Sequence, residues 1–153
     1  MSLTIELNLT SGEFILNAGE SILIPGVPLT GISAIKADPD YRFSDMKNGF
    51  AWHSFCAQFL NKRYVFGLCE YHGCFYSMHW QLPISGSDVC QAWPDQDTSL
   101  LQKQMMIDDL ASIIPNYNGE HEFEWGIVWS VFYAKGGFAS SGTSYIACKQ
   151  PGP

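Results

Sequence analysis

The chain has 153 residues, 46% of them hydrophobic and 14% aromatic, which is typical of one folded domain with a sizeable core and excludes a disordered chain. Fifteen acidic residues against eight basic ones give a net charge of −7, which disfavours nucleic-acid binding and permits a basic protein partner. No apolar run approaches the ~18 residues of a membrane span, and the N-terminus has neither the basic nor the apolar segment of a signal peptide. We therefore expect a single globular domain over residues 1–153 that does not associate with membranes.

The cysteines are odd in number and have no repeated spacing, which argues against a framework of disulfides. They are Cys56, Cys69, Cys74, Cys90 and Cys148. Free, buried thiols in a reducing compartment are the simplest interpretation, and we expect a cytoplasmic protein.

The first half of the chain predicts β-structure. Alternating apolar residues predict strands over 4–9, 13–17 and 21–24, and the prolines within 25–28 end the last of them. Residues 29–50 are expected to form a packed connection. A three-stranded meander over 52–60, 63–70 and 74–82 follows, with reversals at Asn61-Lys62 and Tyr71-His72-Gly73, and a loop over 83–94.

One long helix is predicted after that loop. Ser99 and Gln102 fit a capping box, an apolar stripe at helical spacing extends to Ile114, and Pro115 ends the helix. Asp108 and Asp109 fall in its final turns, where the helix dipole disfavours acidic residues.

A core hairpin over 122–148 is predicted to complete the fold. Its first strand has apolar residues on both faces, Lys135-Gly136-Gly137 supplies the turn, and residues 140–142 interrupt the return strand, which resumes over 143–148. The expected fold class is α+β: a single antiparallel sheet of about six to eight strands, open to strong curvature, with the long helix packed on one face.

Several groups of residues contain side chains of the types that bind metals or act in catalysis. Cys69, His72 and Cys74 lie near one turn but lack the paired spacing of a zinc knuckle, and no His follows His121-Glu122 at the spacing of a zinc protease. Neither a nucleophile elbow nor a phosphate-binding loop is present. We predict no metal or cofactor; catalysis by a Cys/His pair or by the glutamates near residue 122 stays as the least favoured alternative.

Binding residues are predicted where aromatic and acidic side chains occur outside the expected core. Trp93 lies in a polar loop among carboxylates, as is typical of interface anchors. The full predicted binding surface consists of Trp93, Asp95, Asp97, Asp108, Asp109, Glu120, Glu122 and Glu124.

Three stretches resemble a set of small proteobacterial proteins. They are residues 63–82, residues 93–114, and the segment 125–130 followed by Lys135-Gly136-Gly137. The last strand of those proteins runs uninterrupted, whereas this chain has Ser140-Ser141-Gly142 there. The resemblance covers less than half of the chain and implies an immunity or accessory protein of a bacterial toxin system, without assigning a role to any residue.

The leading hypothesis is accordingly a cytosolic protein-binding module, an immunity-type inhibitor that engages a basic partner through an acidic surface. A domain that binds a small apolar ligand between the helix and the sheet is the first alternative. A small enzyme and a structural or homo-oligomeric role are the others.

Overall fold

The computed structural model describes residues 3–83, 96–133 and 138–148, and within them the side chains of all but 96–99, 133 and 138. The elements in chain order are β1 Ile5–Leu7, β2 Phe14–Leu16, β3 Ser21–Leu23, α1 Ser33–Lys36, β4 Arg42–Asp45, β5 Phe50–Phe59, β6 Lys62–Tyr71, β7 Cys74–Gln81, α2 Gln96–Ala111, β8 Glu120–Phe123, β9 Gly126–Tyr133 and β10 Phe138–Tyr145. None of the helices in these ranges combines the length and the apolar character needed to cross a membrane.

The strands form two antiparallel sheets. The small sheet has the order β1-β2-β3, and the large sheet has the order β4-β5-β6-β7-β10-β9-β8. The prediction of an antiparallel, sheet-rich fold is confirmed. The expectation of a single sheet is not, because alternation along a strand indicates which face is buried but not which strands are its neighbours.

The meander β5-β6-β7 follows the predicted strands closely. Both of its turns have two central residues with positive φ, Leu60 (52°) and Asn61 (65°), then His72 (49°) and Gly73 (83°). This backbone is the type I′ turn, whose twist matches that of the strands it joins. The first turn lies one residue earlier than predicted, at Leu60-Asn61.

One face of the large sheet forms the core. Phe55, Phe66 and Trp80 on this core face are each 1% exposed. Phe14 of β2 packs edge-on against Trp80, with ring centroids 5.9 Å apart, so the small sheet covers this face. Burial of one phenylalanine side chain contributes about 1.5–3 kcal/mol, which makes the contact between the two sheets a main source of stability.

Helix α2 packs against β9 and β10. Its buried residues Met106 and Leu110, followed by Ile114, join the same core, whereas Leu100 and Leu101 are 44% and 61% exposed. The helix begins at Gln96, so Ser99 lies within it and the predicted capping box is not its start.

The return strand β10 pairs with β9 without interruption from Phe138↔Tyr133 to Tyr145↔Gly126. The predicted break at residues 140–142 is therefore wrong. Ser141 is tolerated in the core because its hydroxyl lies 2.7 Å from that of Ser130, which in turn lies 2.8 Å from the hydroxyl of Tyr117. Buried polar groups paired in this way avoid the desolvation penalty that makes isolated ones costly.

Candidate functional site

The second face of the large sheet, here called the aromatic face, is only half-buried. Its central feature is a row of three rings, Trp52 on β5, His79 on β7 and Trp129 on β9. The His79 ring lies 5.0 Å from each indole and stands nearly perpendicular to both, at 75° and 86°. Perpendicular packing directs ring edges at the electron-rich indole faces, which is a favoured aromatic geometry.

Glycines make this row possible. His79 pairs across the strands with Gly67 on one side and Gly142 on the other. A Cβ at Gly142 would lie 2.4 Å from the Trp129 ring, and one at Gly67 would lie 3.3 Å from the Trp52 ring. Each indole therefore covers a glycine on a neighbouring strand, an arrangement that compensates for the missing side chain.

The row carries no formal charge near neutral pH. Burial lowers the pKa of His79 to about 4, because the charged imidazolium loses hydration between the two indoles. Trp129 is held in place by a hydrogen bond from its Nε1 to the Ser144 hydroxyl, at 3.1 Å. The aromatic face thus presents flat rings without formal charge near neutral pH.

Two clefts adjoin His79. The larger has a volume of about 430 Å³, and the smaller has a volume of about 230 Å³. The larger is lined by Tyr76, Ser77, His79, Glu122, Phe123, Gly126, Ile127, Thr143, Ser144, Tyr145, Ile146 and Cys148. Among the described residues that line the larger cleft, Glu122 is the one with a formal charge, and the smaller cleft has none among its described lining residues.

Strand β8 is the edge strand of the large sheet next to β9; it carries the predicted residues Glu120 and Glu122, and Glu124 follows it. Glu120, Glu122 and Glu124 are exposed, whereas the residues between them, His121 and Phe123, are half-buried. Glu120 pairs with Trp129, and Glu122 pairs with Ile127. The structure therefore places Glu120 and Glu122 directly beside the aromatic face, and Glu124 in the turn that follows β8. These three exposed residues are here called the acidic edge.

The predicted aspartates lie apart from this edge. Asp108 is exposed and accepts a hydrogen bond from Gln104 at 2.9 Å. The Asp109 side chain is 14% exposed, forms an ion pair with Lys62 at 3.0 Å and accepts a hydrogen bond from the hydroxyl of Tyr64. Burial, together with this bond, raises the pKa of Tyr64 above its usual range. Asp109 thus links the end of α2 to β6, which accounts for an acidic residue at a helix end.

The structure does not describe the side chains of the remaining predicted binding residues. Trp93 and Asp95 lie outside the described residues. Asp97 lies in the first turn of α2, and its side chain is outside the described set as well.

A buried chain of hydrogen bonds was not predicted. The hydroxyl of Tyr41 lies 2.7 Å from His53 Nδ1, and His53 Nε2 lies 2.7 Å from the carboxylate of Glu70. His53 is 4% exposed. These residues come from the connection before β4, from β5 and from β6, so only the register of the sheet brings them together, and no local pattern indicates it.

The structure also groups residues that bear on metal chemistry. Asp38, Asp40 and Cys56 have ligand atoms within 4.8 Å of one another. The Asp38 carboxylate accepts a hydrogen bond from the Cys56 backbone N–H at 3.0 Å, and Asp40 pairs with Arg63 at 3.2 Å. Of the cysteines in the described residues, Cys56, Cys69, Cys74 and Cys148 are free thiols.

Comparison of the chain with known protein families, with curated proteins and with solved structures gave no significant match. The aromatic face and its acidic edge are therefore the features from which a function can be inferred.

Proposed function

We propose that this protein is a cytoplasmic protein-binding module, of the immunity or inhibitor type found in bacterial toxin systems, and that it engages a basic partner through its acidic edge and aromatic face. The observation that carries the proposal is the position of Glu120 and Glu122, exposed on β8 and paired with Trp129 and Ile127.

This combination matches what protein interfaces need. Half-buried aromatic rings provide apolar area at little entropic cost, and a rim of like charges steers a partner of opposite charge and suppresses wrong ones. The net charge of −7 acts in the same direction over longer distances. The glutamates on β8 also discourage its pairing with the same strand of another copy, because like charges would face each other.

The partner can be isolated by affinity capture from the source organism and its binding measured against salt concentration. We expect a stoichiometric basic protein whose affinity falls as salt rises. Replacing Glu120, Glu122 and Glu124 together by glutamine should weaken binding at least tenfold, since even exposed rim charges contribute about 0.5 kcal/mol each.

A matched control removes three exposed charges elsewhere. Glu6 on β1, Glu20 before β3 and Asp45 on β4 are exposed and lie outside the acidic edge. The triple variant Glu6→Gln, Glu20→Gln and Asp45→Asn has the same net charge as the edge variant and should bind normally. Recovery of no stoichiometric partner, or equal binding by the edge variant and the control, would refute the proposal.

A second candidate function is binding of a small apolar ligand, and the larger cleft favours it. Its volume of about 430 Å³ falls within the range of roughly 300–1,000 Å³ that ligand sites occupy. The space between α2 and the sheet holds the buried side chains of Met106, Leu110 and Val128, so a ligand site belongs on the aromatic face. Binding of a neutral apolar probe in this cleft, unaffected by the glutamate substitutions, would favour this candidate.

A further inference from the structure

We propose that the larger cleft receives a lysine or arginine side chain of the basic partner, with Glu122 as its counter-charge. This inference rests on the proposed function and specifies how the acidic edge and the aromatic face act together. It follows from the lining of the cleft, its charge and the position of the neighbouring carboxylates.

The lining suits a side chain that is apolar along its length and charged at its end. Tyr76, Ile127 and Ile146 supply apolar surface, and Glu122 supplies the formal charge. Lysine and arginine have such side chains, with a hydrocarbon stem that packs on apolar surface and a cationic head. An ion pair formed at the rim of an apolar cleft is also less screened by solvent than one on an open surface.

The other polar groups of the cleft do not oppose a cation. His79 is held neutral between its two indoles, so it adds no positive charge to the cleft near neutral pH. The Ser144 hydroxyl accepts a hydrogen bond from the Trp129 N–H. It can still donate its own hydrogen to another acceptor and accept one more hydrogen bond through its second lone pair. Among the described lining residues, a cationic head therefore meets one carboxylate and neutral groups.

The carboxylates outside the cleft indicate that the cation belongs to a protein. Glu120 lies on the same face of β8 as Glu122 but pairs with Trp129, and it does not line the cleft. Glu124 lies in the turn that follows β8 and is also exposed. A free amine would neutralise Glu122 alone, whereas a basic segment of a protein would also satisfy its neighbours. A second copy of this chain, with its net charge of −7, does not supply that charge.

The inference can be tested by NMR titration of the full chain, observing the methyl groups of Ile127 and Ile146. The probes are acetyl-arginine amide, acetyl-lysine amide, the uncharged isostere acetyl-citrulline amide, the free monocation butylguanidine, and a peptide with two arginines separated by one glycine. We expect the cationic probes to shift these methyl signals and citrulline not to. We also expect the dibasic peptide to bind at least fivefold more tightly than butylguanidine.

Three variants give matched readouts. Glu122→Gln should weaken binding of acetyl-arginine amide at least tenfold, whereas Glu124→Gln, the same change outside the cleft, should alter it less than threefold. Glu120→Gln should remove the advantage of the dibasic peptide while leaving the single cation unaffected. Retention of the native fold in each variant is read from the rest of the same spectra.

Each other outcome overturns a defined part of the inference. Equal shifts with citrulline, or undiminished binding by Glu122→Gln, would show that the cleft does not recognise a cation. Butylguanidine binding as tightly as the dibasic peptide would assign the site to a small free cation and not to a protein. If the captured partner still binds in a manner that depends on Glu120 and Glu124 while no probe enters the cleft, this inference fails and the proposed function stands.

Discussion

Replacing Gly142 by alanine tests the packing on which the aromatic face depends. A Cβ at this position would lie 2.4 Å from one carbon of the Trp129 ring, 2.8 Å from another, and 2.9 Å from the carbonyl oxygen of Met78. One of these contacts is with backbone, which cannot rotate away. The native backbone of Gly142 has no positive φ, so the effect of the substitution is steric and not conformational.

Two opposing effects decide whether Gly142→Ala raises or lowers the free energy of unfolding. Alanine restricts the unfolded chain more than glycine does, which by itself would stabilise the fold by about 0.4–1 kcal/mol. Forcing a methyl group into a filled contact costs about 1–3 kcal/mol. The steric cost is the larger, and we expect Gly142→Ala to lower the free energy of unfolding by about 1–2 kcal/mol.

The measurement is urea unfolding followed by circular dichroism, where a lower midpoint at unchanged slope reports a loss of stability. In thermal unfolding the same loss corresponds to about 2–4 °C in Tm for each kcal/mol. Gly67→Ala is the matched control, because Gly67 also pairs with His79 and its Cβ would meet only the Trp52 ring, at 3.3 and 3.4 Å. The control should change stability by less than about 0.5 kcal/mol.

A double-mutant cycle identifies the ring as the cause. In a Trp129→Ala background the ring contacts are absent and only the contact with the Met78 carbonyl remains, so the cost of Gly142→Ala should shrink. The reasoning is refuted if Gly142→Ala is as stable as the native chain, or if its cost is the same with and without Trp129.

Three further predictions concern buried polar groups. The pKa of His79 is about 4 in the fold and about 6.5 in the unfolded chain, so the unfolded state binds more protons between these pH values. The free energy of unfolding should therefore fall by up to roughly 3 kcal/mol as pH drops from 6.5 to 4. In urea titrations at several pH values, His79→Gln should make this dependence on pH weaker. Asp109→Asn should lower the free energy of unfolding in urea by about 1–3 kcal/mol, because the carboxylate that interacts with Lys62 and Tyr64 becomes a neutral amide. Asp108→Asn, at the exposed neighbouring position, should leave the free energy of unfolding unchanged. Equal effects of the two substitutions would contradict the structural role of Asp109. Glu70→Leu should cost about 1–3 kcal/mol by leaving His53 Nε2 without its acceptor, and a change below about 0.5 kcal/mol would show that water replaces the carboxylate.

Local patterns were sufficient for much of the large sheet. Period-two alternation and turn chemistry placed the meander to within a residue or two, and alternating glutamates correctly indicated an exposed strand edge. These features depend on residues close together in the chain. The division into two sheets depends on which strands meet in space, which no local pattern specifies.

The error at residues 140–142 has the same origin. A glycine between serines weakens a strand considered alone, and a bulge was a reasonable interpretation. In the structure Gly142 is required by the indole of Trp129 on the neighbouring strand, and Ser141 is accommodated by the hydroxyl of Ser130. The reasons for these small residues therefore lie on β9, and the sequence of β10 does not contain them.

The candidate site was predicted in part. The acidic edge was expected, whereas the tryptophans of the aromatic row were not among the predicted binding residues. Trp52 and Trp129 join His79 only through the registers of β5, β6, β7, β10 and β9. The sequence would indicate the aromatic row only if those registers were already known. They place a glycine opposite His79 and a tryptophan two strands away from it on each side.

The position of His79 between the two clefts has a consequence for how they fill. One imidazole ring forms part of the wall of both clefts, so an occupant that displaces the ring in one of them changes the space available in the other. Such occupants would be energetically linked, and the linkage must be equal in both directions: the factor by which the first alters the affinity of the second is the factor by which the second alters that of the first. The sheet would then transmit a binding event across its own face by the movement of a single side chain, without any change in its backbone.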